Sequence, residues 1–217
     1  MSDKFFALLL KNLNHFLRDY GFRRKGQLFV RETEECWQII SPQRGRGYSA
    51  LLGQVTINLS ATPKIFQKFQ DEPTDKPSHW ASVPIYCRIS SLVGTSDLWW
   101  SISNEVEAQK ASIEIQEILS THAIKLFDDL STNAGFLAFY NTGKILGFEI
   151  YRDKCRLLLN ANAGNRDVAT SLAIEFAERW CTGPTSSHSL KFLRKIHQKY
   201  PRELSVESSH TPFKSAI

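Results

Sequence analysis

The 217-residue sequence has few cysteines and histidines, and they are not grouped as metal or disulfide sites require. No two cysteines form a Cys-x-x-Cys pair, and the six histidines are equally scattered, so no zinc-binding spacing is visible. The four cysteines are Cys36, Cys87, Cys155 and Cys181. We therefore expect reduced thiols, no metal site and no cofactor.

Long apolar runs are also missing. The run from Phe5 to Leu10 is only six residues long before Lys11 interrupts it. A signal-peptide core is longer than this, and a membrane-spanning helix needs about 20 apolar residues. We therefore expect a soluble, cytoplasmic protein that does not enter a membrane.

The motifs that mark common catalytic sites are absent as well. There is no Gly-x-Ser-x-Gly turn, no phosphate-binding loop ending in Gly-Lys-Ser/Thr, no Gly-x-Gly-x-x-Gly fingerprint and no His-Glu-x-x-His pair. The stretch Arg44-Gly45-Arg46-Gly47 has two glycines, but neither the third glycine nor a following helix. These absences favour a protein without enzymatic activity, although catalytic pairs can also lie far apart in a sequence.

The first predicted element is an amphipathic helix over residues 3–20. Its apolar residues recur at steps of three and four, which places them on one face of a helix. They are Phe6, Leu9, Leu10, Leu13, Phe16, Leu17 and Tyr20. Gly21 follows where the end of a helix commonly needs a left-handed residue.

A hairpin is predicted next, from strands at residues 27–32 and 35–41. Proline has no backbone N–H to donate to a sheet, so Pro42 is expected to end the second strand. Residues 44–47 then form a glycine-containing loop.

Two further strands are predicted from strict alternation of apolar and polar residues, near residues 55–60 and 85–90. Successive side chains of a strand point to opposite faces of the sheet. One face is therefore expected in the core, and the other, which carries Asn58 and Arg88, is expected to face outward.

A long central helix is predicted over residues 105–129, with Asn104 and Glu107 at capping-box spacing. Its apolar stripe includes His122, which is expected to be a packed core residue. Residues 1–130 are thus predicted to form an α+β domain. In it, an antiparallel meander of about four strands packs on an N-terminal helix and a long central helix.

Residues 131–203 are predicted to form a small all-helical module, followed by a flexible tail at 204–217. Helices are expected near residues 151–163, 168–180 and 188–200, because apolar residues recur at helical spacing and Gly or Pro follows each segment. Residues 144–159 have an alternative interpretation as a β-hairpin.

Five short motifs follow one another between residues 21 and 100. They are Gly21-Phe22-Arg23-Arg24-Lys25-Gly26, Trp37-Gln38-Ile39-Ile40 with Gln43, Thr56-Ile57-Asn58-Leu59, Tyr86-Cys87-Arg88-Ile89 and Leu98-Trp99-Trp100. Together they resemble a bacterial family, domain of unknown function 4304, over about residues 3–130. The resemblance implies an α+β domain with an antiparallel sheet, and it implies no known activity, cofactor or catalytic residue.

The first candidate site is a cluster of cations. It comprises Arg23, Arg24 and Lys25 after the first helix, with Arg44 and Arg46 in the glycine loop. If the sheet brings these loops together, the five cations could bind a phosphate or an acidic partner. The alternative is that residues 23–25 neutralise the carbonyl end of the first helix and pair with the acidic residues at 32–35.

A second candidate site is a polar face of the sheet formed by Gln43, Asn58, Tyr86 and Arg88. These side chains could line a shallow binding site. They could equally be the solvated face of a one-sided antiparallel sheet, which requires no function.

Aromatic surface is the third candidate, at Trp99 and Trp100. A tryptophan can stack on a base or a sugar, and Trp100 is taken as the binding candidate. Adjacent residues point in different directions, so one tryptophan is expected in the core and the other partly exposed.

The net charge of +5 lies entirely in the C-terminal part of the chain. Residues 1–130 hold 15 basic and 15 acidic residues, whereas residues 131–217 hold 12 and 7. The excess includes Lys191, Arg194, Lys195, Lys199 and Arg202, on or just after the last predicted helix. This helix could contact nucleic acid, or its lysines could simply keep a terminal helix soluble.

The leading functional hypothesis is a non-enzymatic macromolecular interaction module whose partner is another protein. The first alternative is a weak nucleic-acid binder that uses the basic C-terminal helix. The second is a small-molecule enzyme with its site on the polar sheet face, which would require a concave pocket there.

Overall fold

The structure is a computed structural model that describes residues 3–45, 53–78, 82–182, 186–202 and 204. The chain divides into two compact units, Met1–Phe136 and Leu137–Ile217. The boundary falls inside a helix, whereas the predicted boundary is residue 130. The predicted tail lies outside the described residues except for Leu204, which is buried. No helix in the described ranges is long and apolar enough to cross a lipid bilayer.

Helix α1, Asp3–Arg18, confirms the first predicted element. The apolar stripe buries Phe6, Leu9, Leu10, Leu13 and Leu17. The chain leaves the helix through Gly21, whose φ of 80° is a left-handed conformation that glycine adopts without the strain of a Cβ atom.

The described residues of the first unit contain an antiparallel sheet of six strands. The strands are β1 (Arg23–Lys25), β2 (Leu28–Glu32), β3 (Cys36–Arg44), β4 (Gln54–Pro63), β5 (Ile85–Arg88) and β6 (Trp100–Ser101). The order is β1-β2-β3-β4-β5, and β6 pairs with β4. The predicted α+β class and antiparallel meander are confirmed. Strands β1 and β6 are additional, since three basic residues and a two-residue strand show no alternation.

Strand β3 does not end at Pro42, so that prediction is wrong. Pro42 lies opposite Ile57, and the strand continues to Arg44. Gly45 N donates to Gln54 O, and the alternation of an antiparallel ladder then turns the nitrogen of Pro42 away from β4. On that side the pairing with β2 has already ended at Ile40, so no ladder hydrogen bond is lost.

The expected solvated face of β4 is also wrong. Thr56, Asn58 and Ser60 are 0%, 5% and 5% exposed, so the strand is buried on both faces. Part of the second face lies under the segment that follows helix α2 (Lys64–Phe69), where Trp37 Nε1 donates to Thr74 O. The polar segment that follows α2 therefore covers part of this face of the sheet.

The long central helix is present in three parts: α4 (Glu105–Ile118), a π-helical turn (Leu119–Ala123) and α5 (Ile124–Asp129). A short helix α3 (Ser90–Val93) precedes it. Asn104 caps α4, accepting a hydrogen bond from Glu107 N at 2.9 Å. The prediction that His122 is a core residue is wrong. The wider π turn shifts the helical phase, which exposes His122 and buries Ala123 and Phe127.

The second unit is helical, as predicted. Its helices are α7 (Glu149–Asn162), α8 (Arg166–Trp180) and α9 (Ser186–Lys199), so residues 149–159 are helical and do not form a hairpin. Phe176 of α8 and Phe192 of α9 pack with ring centroids 5.4 Å apart. Helix α6 (Asn133–Asn141), which spans the unit boundary, was not predicted. Thr132 Oγ1 accepts from Gly135 N at its first turn.

One pair of opposed residues on β2 and β3 connects the sheet to two helix ends. Gln38 is fully buried, and its amide donates to the carbonyls of Phe127 and Leu130 at the end of α5, at 2.5 and 3.2 Å. Its cross-strand neighbour Arg31 donates to Gln38 Oε1 at 2.5 Å and to Tyr20 O, just after α1, at 3.2 Å. The last carbonyls of a helix have no partner within the helix, and this pair supplies donors at the ends of both helices.

We expect Gln38→Leu to lower the free energy of unfolding by about 3 kcal/mol, because the substitution leaves buried carbonyls without donors. Urea denaturation followed by circular dichroism measures the change. The matched control is Gln109→Leu on the exposed side of α4, which should change stability by no more than about 0.5 kcal/mol. Equal effects of the two substitutions would contradict the capping role.

Candidate functional site

An open groove of about 580 Å³ lies where α1 ends and the first hairpin begins. The residues that line it are Asn14, Arg18, Phe22, Arg23, Arg24 and Gly26. We call this the cationic groove. It contains two of the arginines predicted from sequence, Arg23 and Arg24, and adds Arg18.

Local structure explains why three arginines converge here. Arg18 is in the last turn of α1, and Gly21 reverses the chain so that β1 starts two residues later. Phe22 is 1% exposed, and its ring lies 5.5 Å from that of Phe127, which anchors this turn in the core. The short edge strand β1 then leaves Arg23 and Arg24 exposed.

The charge of the groove is largely uncompensated. Within the described residues, Arg18 and Arg23 form no ion pair. The expected pairing with nearby acids is not formed by Glu32, which pairs with Lys64 at 2.6 Å, or by Glu35, which accepts from Asn133 N at 2.6 Å. The carbonyl end of α1 offsets part of the positive charge, but two exposed guanidinium groups remain available to an anion.

The other two predicted cations do not join this groove. Arg44 is the last residue of β3 and does not lie in a loop as expected, and its guanidinium lies 4.9 Å from the ring of Phe6. Phe6 and Arg18 are separated by roughly 18 Å along α1, at about 1.5 Å per residue. Arg46 lies outside the described residues.

The polar face does bring its predicted residues together. Asn58 lies opposite Ser41 on β3 and Arg88 on β5, and Tyr86 lies opposite Ser60. Asn58 Nδ2 donates to Gln43 Oε1 at 2.8 Å. Burial raises the pKa of the Tyr86 phenol, so it remains a neutral group. Because Asn58 is almost fully buried, this cluster is not an open solvated surface.

A loop residue and a tryptophan close over Arg88. The guanidinium of Arg88 forms an ion pair with the Asp97 carboxylate and lies 5.1 Å from the ring of Trp99. Trp99 Nε1 also donates to Asp97 Oδ2 at 3.0 Å. These hydrogen bonds from Arg88 and Trp99 hold the pKa of Asp97 below its usual range, so the carboxylate stays charged.

The two tryptophans differ as expected, with one in the core and one partly exposed. Trp100, the residue chosen as the binding candidate, is the buried one, and its Nε1 donates to Glu114 Oε2 at 3.0 Å. Trp99 is the tryptophan with accessible surface. Alternation could not show this, because the two-residue strand β6 is too short to have a readable phase.

Two residues of these candidate sites were not predicted from the sequence: Arg18 of the cationic groove and Asp97, which pairs with Arg88 of the polar face. Arg18 resembles any basic residue in the last turn of a helix, where it complements the helix dipole. Asp97 is an isolated acid in a loop, and its significance depends on Arg88, nine residues earlier in the chain. Neither has a local pattern that distinguishes it.

In the described part of the chain, no three His, Cys, Asp or Glu side chains are grouped in a way that could hold a metal ion. Burial raises the pKa of the Cys36 and Cys87 thiols to about 12, so both are protonated at neutral pH. All four cysteines are free, as expected.

A family model described as a domain of unknown function (DUF4304) matches residues 13–129, which is more than half of the chain. The chain belongs to this family. The DUF4304 match contains the cationic groove and the described polar face, and it ends with α5. No curated protein and no solved structure matches the chain.

The polar face contains an unpaired buried hydroxyl. Thr56 Oγ1 and Asn58 Oδ1 are buried and have no hydrogen-bond partner among the described residues. A buried polar atom without a partner destabilises the folded state by about 1–3 kcal/mol.

We therefore expect Thr56→Val to raise the free energy of unfolding by about 1 kcal/mol, since it replaces the unpaired hydroxyl with a methyl group of similar size. Thermal and urea denaturation measure the change. Thr33→Val is the matched control, because Thr33 Oγ1 donates to Ser131 O at 2.8 Å and accepts from Cys36 N at 2.9 Å. The control should be destabilised, and a loss of stability in Thr56→Val would show that its hydroxyl has a partner.

Proposed function

We propose that this protein is a non-enzymatic interaction module whose cationic groove binds an acidic segment of a partner protein. The observation that carries the proposal is a pair of exposed arginines, Arg18 and Arg23, that face an open groove and have no ionic partner among the described residues. In keeping with the absence of a membrane-spanning helix in the described residues, we propose a bacterial cytoplasmic setting.

The chemistry of the groove favours a carboxylate-rich chain. Guanidinium groups bind carboxylates through two parallel hydrogen bonds, and Arg18 and Arg23 have their donors available for this. Arg24 is partly committed, because its Nε donates to Gly26 O at 2.8 Å. Small-molecule sites usually enclose most of their ligand, whereas an open groove suits an extended segment that remains partly solvated.

The test is the affinity for a short poly-glutamate peptide, measured by fluorescence anisotropy at low salt. We expect the double variant Arg18→Glu/Arg23→Glu to weaken binding about tenfold or more, because each reversal replaces an attraction with a repulsion. Added salt should weaken binding of the unmodified protein, since exposed charges are screened.

The matched control is Lys110→Glu/Lys125→Glu, which changes the net charge by the same amount on α4 and α5. Both lysines are exposed, with side chains 77% and 76% accessible. The control should retain most of the affinity. An equal loss in the two double variants would show that net charge alone drives binding, and the groove would then not be the site.

A second candidate function is nucleic-acid binding by α9. Lys191 and Arg194 are exposed on this helix, Lys199 is exposed at its end, and Arg202 follows it. The apolar residues of the same helix are buried on its other face; they are Phe192, Leu193 and Ile196. A row of cations on one helix face can contact successive phosphates.

If α9 binds nucleic acid, Lys191→Glu/Arg194→Glu should weaken binding to a short DNA duplex and reduce the slope of log affinity against log salt by about 2. Fluorescence anisotropy across a salt series measures both. The groove variant Arg18→Glu/Arg23→Glu is the control and should keep its slope. An affinity independent of salt and of both variants would remove this function.

A further inference from the structure

Lys154 is a buried lysine in the second unit. It lies in the middle of α7 and is 7% exposed, which is unusual for a residue type that is almost never buried without a partner. Its Nζ lies 5.7 Å from the ring centroid of Tyr151 and 5.4 Å from that of Phe192. The amine thus lies against two aromatic rings, one from α7 and one from α9.

No carboxylate among the described residues pairs with this amine. Within the described residues, Lys154 Nζ forms no hydrogen bond and no ion pair. The adjacent Asp153 is engaged by Arg152 at 2.7 Å and by Arg179 at 3.5 Å. Glu149, one turn before, also pairs with Arg179.

The titratable group that acts on Lys154 from a neighbouring element is Cys181, at the end of α8, while α9 contributes the apolar ring of Phe192. Burial lowers the pKa of Lys154, and the interaction with Cys181 opposes this only in part. Burial also raises the pKa of Cys181, which keeps it a neutral thiol. The attraction of the rings for a cation offsets some of the cost of burying the charge. A lowered pKa increases the fraction of neutral, nucleophilic amine at neutral pH.

We propose that Lys154 is a nucleophilic amine that forms a reversible imine with small aldehydes of apolar or aromatic character. The Nζ lone pair attacks the carbonyl carbon, and a proton moves from nitrogen to the former carbonyl oxygen, giving a carbinolamine. Loss of one water molecule then gives the imine, and hydrolysis returns the free amine and aldehyde. The two aromatic side chains favour an apolar or aromatic aldehyde substituent, because they present apolar ring surface to Nζ.

The test uses the full-length protein with benzaldehyde and sodium cyanoborohydride at pH 7, which reduces any imine to a stable benzylamine. Peptide mass mapping then gives the occupancy at each lysine. The matched comparison is Lys191, an exposed lysine of the same unit. We expect higher occupancy on Lys154 than on Lys191, because a lowered pKa leaves more of the amine unprotonated at pH 7. The difference should disappear in denaturing urea.

Competitive labelling with acetic anhydride across a pH series supplies an independent readout. The reactivity of Lys154 should rise at lower pH than that of Lys191. Lys154→Met, which replaces the amine with an apolar chain, should abolish the α7 adduct without loss of helical circular dichroism.

Two outcomes would overturn the proposal. In one, Lys154 of the folded protein is benzylated no faster than Lys191. In the other, its acetylation profile is shifted to lower pH but no benzyl adduct forms, which would mean that the aldehyde cannot reach the amine.

Discussion

The cross-strand pair of Arg31 and Gln38 is the interaction on which the first unit depends. A sheet that packs against helices must supply partners for the carbonyls at the helix ends, and these two side chains do so for α1 and α5 together. Arg31 also pairs with Asp128 at 2.8 Å and lies 5.0 Å from the ring of Phe22. One polar network therefore connects the sheet to the ends of both helices.

The cationic groove is a consequence of the same arrangement. With the end of α1 held near the sheet, Gly21 directs the chain into β1, and Phe22 packs on Phe127. Arg18 and Arg23 then line the same groove, and both side chains remain exposed to solvent. The proposed binding surface thus depends on the packing of Phe22 against Phe127 beneath it.

Much of the architecture was predictable because it follows local periodicity. The stripe of α1, the cap at Asn104 and the alternation of β4 and β5 each involve residues close in sequence. The failures arise where a neighbouring strand or an irregular helical turn departs from what local periodicity implies. Pro42 stays in a strand because its nitrogen faces a side that β2 has already left, and His122 is exposed because a π turn changes the helical phase.

For the candidate sites, the sequence by itself determined which residues could lie close together: Arg23 and Arg24 are neighbours in the chain, and Asn58 and Arg88 have the same phase on two predicted strands. Only the tertiary structure decided that Arg18 completes the groove, that Arg44 is remote from it, and that Asn58 is buried. The physical reason is that periodicity reports neighbours along the chain, whereas burial and charge pairing depend on contacts such as Arg31 with Asp128, 97 residues apart.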